Sequence, residues 1–298
     1  MAAIDNLRGG ISDVQPVRQT IFRVIWRSVN VALVVSLLAL IYSAGWEYSV
    51  RRYLDGFTDG IIPTIATPEQ QVEAILAWMR NGPPRSTDPN PTGLAVRDPE
   101  KTLNYQQLLS VCGTATNAFL NLARSNDLQV RRLLLLNPDR RAKHVVAEVL
   151  LDGRWIIVDP TYRVVMKNAK GEMLTRKQLQ NPQTFAEATA RIPGYPASYT
   201  YEKYAHVRVA RLPLDGMRLR PLLDGIFPGW DEKLDWSLLL ERESFLVFAV
   251  ASVATLLLLL LRMVLGWYAD QRLHVPRFHL RAKLIRAGAA FFTTPEIK

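Results

Sequence analysis

Two uninterrupted apolar stretches constrain this chain more than any other feature. Ser28 to Trp46 runs for 19 residues without a charged side chain, and Ser244 to Leu261 for 18 more. Met263 to Tyr268 carries the second stretch past a lone Arg262. At about 1.5 Å per residue, a helix of either length reaches roughly 30 Å, the thickness of a bilayer's hydrocarbon core. A helix at the surface of a soluble domain keeps a polar face. Neither stretch has one, and Leu256 to Leu261 is six leucines in succession. Trp46, Trp267 and Tyr268 stand at the ends, where amphipathic rings favour the headgroup layer. The pattern predicts membrane-spanning helices over 28–46 and 244–268, in preference to a pair of buried core helices. Arg23, Arg27, Ser43 and Gly45 also give the first stretch some features of a cleavable leader. The 27 residues before it are long for a leader's basic segment, so an uncleaved anchor is expected.

Basic residues beside the spans set the orientation. Residues 8–27 carry four and residues 47–66 two; residues 224–243 carry two and residues 262–281 four. Both comparisons place the termini in the cytoplasm and the middle outside the cytoplasmic membrane. The expected organisation is a cytoplasmic basic segment (1–27), a span (28–46), an outer domain with a membrane-proximal tether (47–243), a second span (244–268) and a cytoplasmic basic tail (269–298). The formal charge of +10 then needs no nucleic acid. Residues 1–27 hold four bases against two acids and residues 262–298 seven against two, so the 197-residue middle is only +3. Anionic lipid headgroups are the natural partner of such tails. Arg277, Arg281, Lys283 and Arg286, interleaved with Phe278, Leu284, Ile285 and Phe291, predict a helix lying on the cytoplasmic face.

Within the outer region, Thr67 reads as an N-cap with Pro68 in the first turn, and Val72, Ile75, Leu76 and Met79 repeat at helical spacing to Asn81. Gly82 to Gly93 holds four prolines and reads as a loop. Cys112 to Arg124 returns to helical periodicity, and Val130 to Leu136 reads as a strand. His144 to Leu151 and Arg154 to Val158 flank Asp152-Gly153, a two-residue hairpin signal. Residues 171–206 mix short helical pieces with tyrosines at 195, 199, 201 and 204. Residues 211–229 read as a tether, and Trp230 to Glu243 as a short helix.

The single cysteine, Cys112, excludes an internal disulfide. It is therefore either a small packing residue or a reactive thiol. Its place at the start of an amphipathic helix favours the thiolate, because unpaired backbone N–H groups and the helix dipole point at it. The hairpin adds a geometric argument. With Asp152-Gly153 as the turn, opposing positions sum to 305, so Asp159 faces Val146 and His144 faces Thr161. Side chains alternate, which puts His144, Val146, Glu148, Ile157, Asp159 and Thr161 on one face. His144 and Asp159 become diagonal neighbours, roughly 7–8 Å apart at the backbone and within side-chain reach. A carboxylate there can hold one imidazole nitrogen while the other takes a thiol proton. Glu148 shares that face and reads as a solvated strand residue. His206, His274 and His279 stand apart from this pattern. One cysteine and scattered histidines supply no metal-ligand set, and no cofactor is expected.

At these residues the chain resembles the transglutaminase-like family, which shares the papain-type cysteine protease arrangement. The resemblance runs from about Glu69 to Tyr162. It rests on Cys112-Gly113 opening a helix, on the run from His144 to Val149, and on Asp152-Gly153-Arg154-Trp155 leading into Asp159-Pro160-Thr161-Tyr162. It implies an α+β fold in which a helix packs on an antiparallel sheet, here flanked by two transmembrane helices. It also implies Cys112 as nucleophile, His144 as general base and Asp159 as orienting carboxylate. Gln106, six residues before Cys112, stands at the offset where papain-type enzymes place an oxyanion donor. Position 146 is Val where the family often has an aromatic residue. Two functions follow as expectations. One is a membrane-tethered cysteine hydrolase or acyltransferase that attacks peptide or protein amide bonds through a thioester. The other is a catalytically silent subunit with a structural or assembly role in a larger membrane complex.

Overall fold

The computed structural model describes residues 14–82, 85–87, 99–207, 219–230 and 237–273. The amphipathic segment expected over 277–292, most of the proline-rich loop and the first part of the tether lie outside them. The chain divides into two units, residues 1–39 with 252–298 and residues 40–251.

Helix α1 spans Val14–Ile61, and α9 spans Glu243–Tyr268 and continues as a π-helical turn over Ala269–Leu273. Both are long and apolar enough to cross a membrane. Val31, Leu38 and Ile41 on one, and Val250, Leu257 and Met263 on the other, stay exposed. In water such a band would be a large apolar patch; in lipid it is the solvated surface. In the first unit, Phe22 and Ala269 are buried together with Trp26, Leu265 and Leu273 around them.

The second unit begins within α1. Past Trp46, the spacing of Val50, Leu54, Phe57 and Ile61 turns an all-apolar helix into an amphipathic one, and Val50, Leu54 and Ile62 join the domain core. Glu47 is buried there, accepting from Arg51 Nε and Ser244 Oγ at 2.8 Å each and from Arg242. Helix α2 (Pro68–Asn81) starts with the reciprocal bonds of a capping box between Thr67 and Gln70. Helix α3 (Pro99–Asn104) and a single 3₁₀ turn (Leu108–Ser110) lead into α4, Cys112–Ser125. Helix α4 is buried continuously from Ala115 to Ala123, as a helix covered on more than one side must be.

Five antiparallel strands follow: β1 Val130–Leu136, β2 Ala142–Leu151, β3 Arg154–Asp159, β4 Val164–Val165 and β5 Tyr204–Ala205. Their order in the sheet is β4-β3-β2-β1-β5. The β2–β3 hairpin turns at Asp152 (φ 47°) and Gly153 (φ 73°), the left-handed pair a tight two-residue turn requires. Its register, Leu151↔Arg154 through Ala147↔Val158, sums to 305 throughout. Alternation splits the sheet between two cores. Ala147, Val149, Leu151, Ile156 and Val158 face α1, α2 and α4. Leu133, Leu135, Val146 and Ile157 face a layer built from residues 166–201, including α5 (Arg176–Leu179) and α6 (Pro182–Thr189). The domain is thus α+β, with a buried helix on one face of an antiparallel sheet. Helices α7 (Leu219–Ile226) and α8 (Ser237–Glu241) return the chain to α9.

Candidate active site

The site forms where α4, the end of β2 and the end of β3 converge. Cys112 is the first residue of α4, and Val111 before it offers no side-chain cap. The first N–H groups of a helix have no intrahelical acceptor, so this end presents donors. Thr116 Oγ1 donates to Val145 O at 3.0 Å and pins the first turns of α4 against β2. The half-buried thiol consequently packs among Leu134, Leu136, Val145 and Ala205, at the end of the sheet.

His144 and Asp159 are both buried and meet as the hairpin register dictates. His144 Nε2 donates to Asp159 Oδ2 at 2.7 Å. Asp159 Oδ1 accepts from the backbone N–H groups of Thr161 and Tyr162 at 3.0 and 3.3 Å. The carboxylate is held from both sides and in turn holds the ring. The second ring nitrogen, Nδ1, is buried and makes no hydrogen bond of standard geometry. The thiol of Cys112 interacts with this ring.

Electrostatics follow from this placement. Interaction with the His144 imidazole is the largest influence on Cys112 and lowers its pKa; burial opposes it, and the backbone at Val145 and Gly113 lowers it further. The thiol therefore sits below its ordinary value. For His144, burial is the largest single influence and disfavours the cation. Hydrogen bonds and charge from Asp159 and Cys112 together outweigh it and push the imidazole up to about 9. The two shifts point the same way, toward a thiolate–imidazolium pair at neutral pH.

A tyrosine layer closes the other side of the ring. Tyr199 stacks flat on His144, with centroids 4.1 Å apart and planes 8° from parallel. Tyr162 and Tyr195 approach it edge-on at 6.2 and 6.4 Å. Burial raises the pKa of Tyr162, Tyr195 and Tyr199, so all three are neutral phenols at physiological pH. Tyr162 closes the run from Asp159 quoted above, whereas for Tyr195 and Tyr199 the only signal was the density of tyrosines after residue 194.

Gln106 lies exposed in the turn before the 3₁₀ segment. Its backbone N–H donates to Ser86 O and its carbonyl accepts from Ser110 Oγ, and neither bond involves its side chain. Glu148 departs from the solvated residue its strand position suggested. It is 1% exposed. Arg131 Nε lies 2.6 Å from it, His206 Nε2 3.7 Å and Arg176 Nε 3.8 Å. It faces the α5–α6 layer, which supplies Arg176, while Arg131 is its cross-strand partner on β1 and His206 follows β5. His206 is buried as well, with Nδ1 2.7 Å from Arg132 O. Among the described residues, no three His, Cys, Asp or Glu side chains gather as metal ligands.

No curated protein and no solved structure matches the chain. Residues 55–160 match the family model of the transglutaminase-like superfamily, a span that takes in the end of α1, α4, the β2–β3 hairpin and all three residues of the site. The segment that brings Cys112, His144 and Asp159 together is a transglutaminase-like superfamily domain.

Proposed function

We propose that the chain is a membrane-tethered cysteine hydrolase or acyltransferase acting on amide bonds outside the cytoplasmic membrane. Cys112 is the nucleophile, His144 the proton carrier and Asp159 its orienting carboxylate. One observation carries the reading: a single buried imidazole bonds Asp159 through Nε2 and perturbs the sole thiol, lowering the thiol and rising itself to about 9. The tether is supported by two helices able to cross a bilayer and by the basic counts beside them.

The chemistry balances in two steps. The Cys112 thiolate attacks the amide carbonyl carbon, a C–S bond forms, and the carbonyl π pair moves onto oxygen. The Cys112 backbone N–H, first in α4, is a donor for that oxygen. As the oxygen's pair returns, the C–N bond breaks and the imidazolium gives its proton to the departing amine, leaving a thioester. Water, or an amine in acyl transfer, then loses a proton to the neutral imidazole and attacks the thioester. The C–S bond breaks and the thiolate–imidazolium pair is restored.

Because Cys112 is the only cysteine, iodoacetamide alkylation of the full chain reads one thiol. Wild type should react fast at pH 7, His144→Ala more slowly, and Cys112→Ala not at all while keeping its fold. Equal rates for wild type and His144→Ala would overturn the catalytic reading in favour of a silent assembly subunit.

A further inference from the structure

A polar cavity of about 290 Å³ lies at the far end of α4 from the thiol. Arg124 and Ser125 line it from the last turn of α4, about 18 Å along the helix axis from Cys112. Arg51 and Asp55 line it from the tail of α1, with Asp127 and Arg242 completing the polar wall. Glu47, Arg51 and Asp55 recur every four residues and share one stripe of α1. Arg242, in the step between α8 and α9, reaches that stripe. It donates to Glu47 and lies within electrostatic reach of Arg51 and Asp55. Its side chain is only 7% exposed, and its buried Nε makes no hydrogen bond. Arg51 gives Nε to Glu47 and stays 56% exposed. Ser125 Oγ donates to Asp55 Oδ1 and Arg124 to Ser237 Oγ, so α1, α4 and α8 are cross-linked around the cavity.

The ends of the apolar stretches set the level of these groups. Trp46 closes the first stretch and Ser244 opens the second. Headgroups occupy roughly 5–8 Å on each side of a bilayer's hydrocarbon. Glu47, which holds Arg242, is the residue after Trp46. For a helix along the bilayer normal, Arg51 stands about 7.5 Å past Trp46 and Asp55 about 13.5 Å. The arginines nearest the bilayer therefore fall in the headgroup layer, and Asp55 falls one turn outside it. The charges around the cavity balance: Arg51, Arg124 and Arg242 meet Asp55, Asp127 and the adjoining Glu47. A balanced set has little long-range pull on an anion, whereas its separated poles complement a dipolar ligand. Guanidinium forks match a phosphate, and carboxylates accept from the three N–H donors of a primary ammonium.

We propose that this cavity binds the headgroup of a phosphoethanolamine lipid from the adjacent leaflet, with its phosphate on Arg51 and Arg242 and its ammonium on Asp55 and Asp127. The proposal rests on the two membrane spans and not on the chemistry of Cys112. The lipid's own order agrees with the site: the phosphate lies next to the hydrocarbon, and the ammonium follows two carbons farther out, toward the next turn of α1. A choline headgroup has no N–H to donate to the carboxylates, and a glycerol headgroup has no cation for them.

The test uses the full chain in dodecyl maltoside. Its melting is followed as dioctanoyl phosphatidylethanolamine, phosphatidylcholine or phosphatidylglycerol is added, and the concentration dependence of the shift gives each affinity. The ethanolamine lipid should bind about tenfold or more tightly than the other two, the low end of one charge-assisted hydrogen bond. Arg51→Gln should weaken it about tenfold, while Arg242 and Ser244 still satisfy Glu47. Asp55→Asn keeps an oxygen for Ser125 Oγ and should bring the ethanolamine and choline lipids to equal affinity. Arg52→Gln changes an exposed arginine beside the cavity wall and should leave every affinity as it is. Equal affinity for the three lipids overturns the proposal, as does equal weakening by Arg51→Gln and Arg52→Gln, which would mean general attraction to basic residues. Glycerophosphoethanolamine, the same headgroup without chains, should bind about tenfold or more weakly than the lipid, since it lacks the apolar part. Equal affinity for that soluble compound overturns the lipid as the ligand.

Discussion

Asp159→Asn keeps the shape of the site and removes one charge, so it isolates what the carboxylate does. Asp159 Oδ1 is committed to two backbone N–H donors, at Thr161 and Tyr162. An asparagine that keeps those bonds turns its NH₂ toward His144 Nε2. That nitrogen must then accept, the proton moves to Nδ1, and the neutral ring presents N–H where it should take a proton from the thiol. The electrostatic part can be sized. His144 lies at about 9 against an ordinary 6.5, which favours its charged form by roughly 3 kcal/mol. Among the influences that raise it, the Asp159 hydrogen bond comes first and Cys112 second.

The assay is the pH profile of Cys112 alkylation by iodoacetamide, with histidine titrations followed in parallel by NMR. The thiol and the imidazole titrate as a pair, so two apparent inflections describe both together. The lower one marks formation of the thiolate–imidazolium pair. The upper one, near 9, marks loss of the imidazolium proton and leaves a freer, more nucleophilic thiolate. Asp159→Asn should move the upper inflection down by more than about one unit, toward 6.5, and the lower one up. An upper inflection that stays at about 9 refutes the assignment of Asp159 as the group that holds the imidazole charged.

Two further outcomes test other parts of the chain. Reporter fusions at residues 10 and 290 should remain cytoplasmic while one at residue 90 is exported, and export of either terminal fusion reverses the orientation read from the basic counts. Glu148→Gln leaves Arg131, Arg176 and His206 around a neutral side chain. Breaking such a buried pair costs about 3–5 kcal/mol, so melting should fall by about 6 °C or more, and a change within about 2 °C would show that the network contributes little.

Much of the fold was legible because its signals are local. The capping pattern at Thr67, the helical spacing through Met79 and the Asp152-Gly153 turn each act within a few residues, and each appears in the structure. The hairpin register reaches further, because a period of two carries the turn's geometry along both strands to His144 and Asp159. Legibility ended where partners come from distant segments. The burial of Glu148 depends on arginines at 131 and 176 and a histidine at 206, which no strand pattern predicts. The tail of α1 was obscured by its charges: Glu47, Arg51, Arg52, Asp55 and Asp59 look like the end of a span, while Val50, Leu54, Phe57 and Ile61 keep an apolar stripe in the same helix.

Val146 links the sequence to the tyrosine layer. Two residues beyond His144 on the same strand face, it is fully buried against the core of Leu133, Leu135 and Ile157. A ring at that position would overpack a filled site. The aromatic contact to the imidazole comes instead from Tyr199, stacked at 4.1 Å, on a segment more than fifty residues later in the chain. A phenol face is a favourable surface for a cationic ring, so the stack supports the imidazolium form and fixes the ring's plane. Between Tyr199 on one face and Asp159 at Nε2, the imidazole has little freedom to rotate, and its buried Nδ1 makes no hydrogen bond of standard geometry. A ring held in this way beside the chain's only thiol is the arrangement that the proposed proton carrier requires, and one that a silent scaffold has no need to keep.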